Sequence, residues 1–318
     1  MASAPLPTIS VLVPAYRCAD YIGDALRSLQ AQTLSDWEAI VVDDGSPDDL
    51  VGAMRPFASD SRIRLLRTAN EGVSAARNHA LAVARAPLIA LLDGDDRYAP
   101  DYLADMIHAI RTDERAGFAT CDAHFFGNPR LDGVRFSAVT PQIPPVTLER
   151  VLTRQFNVFT ACVLLATALQ DVGGWTTDLR SAEDLDLWIR LLERGWQCVF
   201  VPRPLHHYRR RPDSLSSARL PLLMGVATVY DDAAVRLTGR PEQRTAIAMR
   251  ETIDAEIAFE QGEALVLSGD VHAGLRELRR AGARTRSLSW RVALIGMRLL
   301  PRAAPRFMRW RMDAAARG

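Results

Sequence analysis

The stretch IALLDGDD, residues 89–96, is a short apolar run that ends in three carboxylates within four positions. An apolar run of this length that stops at polar residues is typical of a strand buried on both faces. Three similar runs come before it, with helical patterns of apolar residues in between: ISVLV (9–13), EAIVV (38–42) and IRLLR (63–67). Strands and helices that alternate in this way predict an α/β fold with a mainly parallel sheet flanked by helices.

Polar segments follow the predicted strands and should share one edge of the sheet. PAYR (14–17) follows the first strand, DDGS (43–46) the second and DGDD (93–96) the fourth. Open parallel sheets bind ligands beyond the carboxyl ends of their strands, so we expect these segments to form a binding site. No G-x-G-x-x-G motif follows the first strand, which argues against an ordinary dinucleotide-binding fold.

The pattern becomes less regular after the fourth strand. Further strands are predicted near Phe118–Cys121, Val134–Val139 and Ala161–Leu165. SAEDLDLWIRLLERG (181–195) has the periodicity of an amphipathic helix. CVFVP (198–202) is predicted as a final strand, and beyond about residue 220 only helical patterns remain. We therefore predict a sheet-containing domain over residues 1–220 and a helical region over residues 221–318.

The composition excludes several classes of protein. All 39 basic residues are arginine, and a chain without lysine has neither a P-loop nor a Schiff-base lysine. The formal charge of +1 argues against nucleic acid as a partner. The four cysteines lie far apart, which is typical of reduced thiols in a cytoplasmic protein. We find no secretory signal and no apolar run near the roughly 18 residues of a spanning helix, so we expect a chain that does not cross a membrane.

The acids Asp93, Asp95 and Asp96 would raise one another's pKa unless a cation lay among them. Mg²⁺ and Mn²⁺ bind carboxylate and phosphate oxygens, so DGDD is compatible with a metal that accompanies a phosphorylated ligand. Alone, so short a motif favours the alternative of a solvated turn before a helix, with Asp95 or Asp96 as an ordinary cap. Its position at the same edge as Asp43 and Asp44 favours the ligand site instead.

The segment NEGVSAARNHAL (70–81) places a glycine just before a helix, where backbone amides favour phosphate. Arg77 lies one turn into that helix, and its guanidinium suits a diphosphate. Considered alone, Arg77 is equally compatible with a surface position on an amphipathic helix. Together with the aromatic Tyr16 and the acids, however, it completes the parts that a nucleotide site requires.

Five segments occur in an order and spacing that resemble a known family. They are SVLVPAYRCADYIGDALRSLQAQT (10–33), VVDDGSPDD (41–49), NEGVSAARNHAL (70–81), IALLDGDD (89–96) and SAEDLDLWIRLLERG (181–195). They resemble the family-two, inverting glycosyltransferases of the GT-A fold over residues 8–216. The resemblance implies a Rossmann-like, mainly parallel sheet flanked by helices, with the C-terminal helices as an extension.

The resemblance also implies roles for the residues that match the family's motifs. Pro14, Tyr16, Asp44 and Arg77 match positions that line the nucleotide pocket, where the acid at Asp44 usually contacts the base. Asp93 matches the acid that contacts the ribose. These five residues are therefore the expected binding site for a nucleotide-sugar.

The remaining matches concern the metal and the reaction. Asp95 matches the acid that binds Mg²⁺ or Mn²⁺ beside the diphosphate, and Asp184 matches the catalytic base, with Glu183 as its usual neighbour. Asp184 also has a simpler explanation, because an acid three positions after Ser181 is typical of a helix cap. The family often has a histidine in Y-R-x-H-x-x-S; the same stretch is YRRRPDS here, so Arg211 takes its place and can still bind a diphosphate.

Two shorter features allow more than one interpretation. VGGW (172–175) is either an acceptor-facing loop, as in the resembling family, or a tight turn before the next helix. His206 and His207 are adjacent, so in an extended segment they face opposite sides, and we expect a partly buried structural role.

The sequence as a whole predicts an inverting, metal-dependent glycosyltransferase. It would move a sugar from a nucleotide-diphospho-sugar, with UDP favoured, to a saccharide or lipid-linked hydroxyl in cell-surface polysaccharide or glycoconjugate synthesis. One alternative is a non-catalytic scaffold that senses nucleotide and binds a partner or membrane through its helices. Another is a phosphatase of the haloacid-dehalogenase type, which normally has D-x-D on the first strand and a later lysine, unlike this chain.

The C-terminal segment, residues 284–318, holds nine arginines and a single acid, Asp313. Its apolar residues recur at helical spacing, so the segment is basic and partly amphipathic. One interpretation is a contact with the inner face of the cell membrane, where a lipid-linked acceptor would lie. The alternative is a solvated helical face that packs on the main domain.

Overall fold

A computed structural model describes residues 6–211, 219–282 and 287–315. The chain forms two compact units, Met1–Ser214 and Leu215–Gly318. Within the described residues, the first unit contains a sheet with helices and the second contains helices alone.

The first unit is built on one sheet. Its strands are β1 (Ile9–Ala15), β2 (Trp37–Asp44), β3 (Ile63–Thr68), β4 (Leu88–Leu91), β5 (Arg97–Tyr98), β6 (Ala116–Phe126), β7 (Cys162–Leu165) and β8 (Gln197–Arg209). They lie in the order β3-β2-β1-β4-β7-β6-β8-β5. The first four strands are mutually parallel, β6 is parallel to β8, β7 is antiparallel to β4 and β6, and β5 is antiparallel to β8. The predicted α/β fold is confirmed.

Helices cover both faces of this sheet. They are α1 (Ile22–Gln30), α2 (Leu50–Met54), α3 (Val73–Val83), α4 (Tyr102–Ile110), α5 (Phe136–Val139), α6 (Leu148–Leu152), α7 (Ala166–Val172) and α8 (Glu183–Glu193), with a 3-10 turn at Arg55–Phe57. Alternate residues of β1 enter two different cores. Val11 and Val13 pack with α1 and α4, and Leu12 packs with α3 and α8.

The strand predicted at Val134–Val139 is wrong. Phe136–Val139 is the short helix α5, and the residue before it, Arg135, forms only an isolated bridge with His124. Asp122 explains the difference, because its carboxylate accepts hydrogen bonds from the backbone N–H (3.1 Å) and the hydroxyl (2.7 Å) of Ser137. A carboxylate that binds a first-turn N–H favours a helix start over an extended segment.

The second unit contains α9 (Arg219–Arg236), α10 (Glu242–Ser268), α11 (Val271–Arg280), α12 (Leu288–Leu299) and α13 (Ala304–Ala315), with a 3-10 turn at Pro301–Ala303. α10 and α11 approach closely where two glycines meet: a Cβ on Gly274 would lie 2.8 Å from the carbonyl oxygen of Gly262. Among the described residues, no helix combines the length and apolar character needed to span a bilayer.

Candidate active site

The three predicted polar segments meet at one edge of the sheet. Parallel pairing aligns Ala15 with Asp43, so the residues that follow β1 and β2 are neighbours. DGDD then lies against the end of β1, because the Gly94 N–H donates to the carbonyl oxygen of Pro14 at 3.2 Å. Glycine is required there, since a Cβ on Gly94 would lie 2.8 Å from the Cys18 sulfur.

Asp44 fixes the loop that leads into α3. One of its carboxylate oxygens accepts from the Glu71 N–H and the other from the Gly72 N–H, both at 2.9 Å. The Asp44 carboxylate is nearly fully buried. The contact of Asp44 with a nucleotide base stays a prediction. The places of Pro14 and the exposed Tyr16 in the nucleotide pocket, at the same edge, also stay predictions.

Arg77 joins the end of β4 to the start of α8. Its guanidinium donates to Asp93 at 3.0 Å, to Glu183 at 3.1 Å and to Asp184 at 2.8 Å. The Arg77 side chain is only 2% exposed, so the surface position considered from the sequence is wrong. A single buried cation therefore holds together three acids from two distant parts of the chain. We call Arg77 and these three acids the Arg77 clamp.

The Arg77 clamp shifts the pKa values of Arg77 and Asp184. Burial lowers the pKa of Arg77, but the charges of Asp184, Asp93 and Glu183 outweigh burial and raise it overall. Burial raises the pKa of Asp184, Arg77 opposes that rise, and Glu183 and Asp93 add to it. Asp184 thus has the raised pKa that suits a carboxylate acting as a general base near neutral pH.

The backbone before α8 aims these acids at Arg77. The N-cap is Ala182, in the left-handed region at φ 62°, with no capping hydrogen bond from its side chain. The predicted cap at Ser181 is therefore wrong, and Asp184 points to Arg77 rather than serving a capping arrangement. A non-glycine residue in this region is uncommon and is often found where function constrains the backbone.

VGGW forms a tight turn that docks on α3. Asn78 accepts from the Trp175 N–H at 3.0 Å and donates to the Trp175 carbonyl at 2.8 Å. The turn needs Gly174, at φ 74°, because a Cβ there would lie 2.6 Å from the Asn78 side-chain oxygen. The indole N–H of buried Trp175 lies 3.4 Å from Asp184. Sequence reasoning missed this support for Asp184.

Asp95 is paired with Arg211, with 2.8 Å between Oδ2 and Nε. Arg211 also donates to the carbonyl oxygen of Arg17 at 3.0 Å. Burial, followed by the charges of Asp96 and Asp93, raises the pKa of Asp95 to about 7, while Arg211 opposes the rise. The structure therefore places the predicted metal ligand and the predicted diphosphate-binding arginine side by side.

Asp96 is not a helix cap. Its buried carboxylate lies 2.8 Å from His206 Nε2 and accepts from the Arg209 N–H at 2.7 Å. Arg209 Nε in turn donates to the carbonyl oxygen of Asp95 at 2.7 Å. These contacts tie DGDD to β8, and they confirm the structural role expected for His206.

The donor set at the end of β4 fits a hard divalent cation. Asp95 offers carboxylate oxygens in a cluster of like charges, and its pairing with Arg211 indicates that the position attracts positive charge. The described ranges contain no group of three or more His, Cys, Asp or Glu that could hold a metal ion alone. A cation at Asp95 would therefore complete its shell with phosphate oxygens and water, as Mg²⁺ commonly does.

Taken together, the sheet, its polar edge and the acids around Arg77 have the arrangement expected for a glycosyltransferase of the GT-A fold. The model of the family described as Glycosyl transferase family 2 matches residues 10–166. Residues 10–166 therefore belong to this family, which the sequence segments predicted, and this match argues against the phosphatase alternative.

Similar proteins are found among curated sequences and solved structures. The chain is 29% identical over 216 residues to the putative teichuronic acid biosynthesis glycosyltransferase TuaG of Bacillus subtilis (strain 168), covering 66% of this chain and 82% of TuaG. It is 26% identical over 230 residues to the UDP-Glc:alpha-D-GlcNAc-diphosphoundecaprenol beta-1,3-glucosyltransferase WfaP of Escherichia coli, covering 72% and 87%.

A solved structure supports the fold. The mannosyltransferase PcManGT from Pyrobaculum calidifontis, in complex with GDP-Man and Mn²⁺, superimposes with a TM-score of 0.62 at 21% identity. The similarity covers 98% of this chain and 87% of PcManGT.

Proposed function

We propose that this protein is an inverting glycosyltransferase that moves a sugar from a nucleotide-diphospho-sugar, with UDP as the nucleotide, to a hydroxyl acceptor. The observation that carries the proposal is the Arg77 clamp. It joins Asp93, on the expected donor side, to Asp184, on the expected acceptor side, through one buried guanidinium. Such an arrangement fixes a base relative to a bound donor, as group transfer requires.

Asp184 is the general base in this proposal. Its side chain is 22% exposed, so an acceptor hydroxyl can reach it. The hydroxyl proton passes to the Asp184 carboxylate while the acceptor oxygen forms a bond to the anomeric carbon. The bond from that carbon to the phosphate oxygen breaks, and the nucleoside diphosphate leaves. Attack from the face opposite the diphosphate inverts the configuration.

The donor would bind along the edge that holds Asp93 and Asp95. Asp93 contacts the ribose, and Pro14, Tyr16 and Asp44 line the nucleotide pocket. Arg211 forms an ion pair with the Asp95 carboxylate and would bind the diphosphate with its guanidinium. A divalent cation, Mg²⁺ or Mn²⁺, held by Asp95 would stabilise the negative charge of the leaving diphosphate.

The similar proteins suggest the substrates. WfaP is named for a UDP-sugar donor and a diphosphoundecaprenol-linked acceptor, TuaG for teichuronic acid synthesis, and PcManGT was solved with GDP-Man and Mn²⁺. From these similarities we propose that this protein acts in cell-surface polysaccharide or glycoconjugate synthesis, with a saccharide or lipid-linked acceptor. A lipid-linked acceptor would place the enzyme in the cytoplasm at the inner face of the cell membrane.

A thermal-shift panel of UDP-sugars and GDP-sugars, each with and without Mn²⁺, tests the proposal. A ligand at about a hundred times its Kd stabilises the folded state by about 2.7 kcal/mol. We expect a UDP-sugar to raise the Tm, and to raise it further with Mn²⁺.

Asp95→Asn is the matched variant for that panel. It should retain the fold and lose the Mn²⁺-dependent part of the shift, because an amide is a weaker ligand for a hard cation. If no nucleotide-sugar raises the Tm of either protein, the proposed donor class is refuted. A GDP-sugar that stabilises more than any UDP-sugar would refute the choice of UDP.

A further inference from the structure

Helix α12 has apolar residues on two opposite faces. Its inner face is buried and consists of Trp290, Ala293 and Met297. A second row, which we call the outer stripe, is solvent-exposed and consists of Leu288 (78%), Val292 (62%), Ile295 (60%) and Leu299 (73%).

The spacing of the outer stripe makes it a continuous surface. Its residues follow one another at intervals of four, three and four positions. At 3.6 residues per turn they fall within an arc of about 60° and run along the whole helix. Single exposed apolar residues are ordinary, but a contiguous apolar row marks a site of interaction with a partner or a membrane.

The charges around the outer stripe indicate which partner it fits. Residues 287–315 contain six arginines and one acid. Arg291 and Arg298 are exposed, and the helical spacing places both along one border of the stripe. An apolar row bordered by arginine is the pattern of helices that lie in the interface of an anionic membrane. A second copy of the helix packed antiparallel on the stripe would instead bring arginine against arginine.

We propose that the outer stripe of α12 docks the chain on an anionic lipid bilayer. The helix lies in the plane of the interface, with the aliphatic side chains among the acyl chains and the arginines at the lipid phosphates. The inference goes beyond the proposed reaction and does not depend on it, because no residue of the candidate active site lies on α12.

Vesicle flotation of the full chain tests the proposal. One set of vesicles contains phosphatidylcholine and phosphatidylglycerol in equal parts, and the other contains phosphatidylcholine alone. We expect the wild type to float with the anionic vesicles and much less with the neutral ones, and added salt should weaken the binding.

The decisive variant combines Ile295→Asp and Leu299→Asp. It should lower the apparent partition coefficient on anionic vesicles by at least about tenfold, because two aliphatic side chains no longer enter the bilayer. The matched control combines Val139→Asp and Val235→Asp, which places the same charges at two exposed apolar positions elsewhere. The control should float like the wild type. Circular dichroism and thermal melting confirm that each variant is folded.

Three results would overturn the proposal. The first is a wild type that does not float with anionic vesicles. The second is a stripe variant that floats as well as the wild type. The third is a wild type that is dimeric by light scattering and that the stripe substitutions convert to a monomer without loss of flotation, which would assign the stripe to a second copy.

Discussion

Arg77 and Arg211 both pair with acids of the candidate active site, and they differ in how firmly they are held. Arg77 is 2% exposed and contacts three carboxylates. Arg211 is 14% exposed and, among the described residues, forms an ion pair with Asp95 and donates to the carbonyl oxygen of Arg17. The Arg77 side chain cannot leave its position without removing the shared cation from three acids, whereas Arg211 can turn from the Asp95 carboxylate to a ligand.

The difference assigns separate roles to the two arginines. We expect Arg77 to be a positioning residue that keeps Asp184 ionised and oriented, although its motif first suggested a diphosphate contact. Arg211 is then the arginine that remains for the diphosphate. Removing each charge in turn should therefore affect different measurements.

The largest effect is expected for Arg77→Gln. Removing one partner from a buried ion cluster costs about 3–5 kcal/mol in the free energy of unfolding, because the remaining charges are left without compensation. Urea denaturation measures this loss. The control is Arg67→Gln. Arg67 is 70% exposed and pairs with Asp43, so its removal should cost no more than about 1 kcal/mol in the free energy of unfolding. Equal losses in the two variants would contradict the role of the Arg77 clamp.

Arg211→Gln should act on donor binding instead. We expect a smaller loss in the free energy of unfolding than for Arg77→Gln, because the structure shows Arg211 paired with the Asp95 carboxylate and Arg77 paired with three carboxylates. The KM for the nucleotide-sugar should rise by about tenfold or more, because a charge-assisted contact to the diphosphate is lost. Steady-state kinetics at saturating acceptor measure the effect. An unchanged KM would mean that Arg211 is only a structural partner of Asp95.

The smallest effect is a shift in the pH dependence of Glu183→Gln. A base must be deprotonated, so kcat/KM falls as the pH drops through the pKa of Asp184. Glu183 raises that pKa through its charge, and its removal should move the acid limb to lower pH by up to about one unit. Glu193→Gln, at the other end of α8, is the control and should leave the limb in place. A limb that moves to higher pH would contradict the assignment of Asp184.

The fold and the location of the site could be predicted because they depend on local patterns. The apolar runs of β1 to β4 identify themselves by length and composition, and parallel strands must end at one edge. The family's motifs then supplied the candidate residues. All of this needs only short stretches of the chain and the order in which they occur.

The contacts inside the site could not be predicted, because they join distant parts of the chain. Arg77 meets Asp184 across 107 positions, and Asp96 meets His206 across 110. Each local segment had an ordinary explanation, a surface arginine in one case and a helix cap in the other. Ser181 likewise matched the pattern of a cap, but the left-handed backbone at Ala182 starts the helix differently.

The most direct test of the central claim compares Asp184→Asn with Asp186→Asn under single-turnover conditions. Asp186, two positions along the same helix, is buried and accepts hydrogen bonds from Thr176 at 2.6 Å and Arg190 at 2.8 Å. We predict that Asp184→Asn lowers the rate of sugar transfer by about 10²- to 10⁴-fold and leaves donor binding intact. Asp186→Asn should lower the Tm and leave the transfer rate of the folded enzyme nearly unchanged. An Asp184→Asn enzyme that transfers sugar at the wild-type rate would contradict the account.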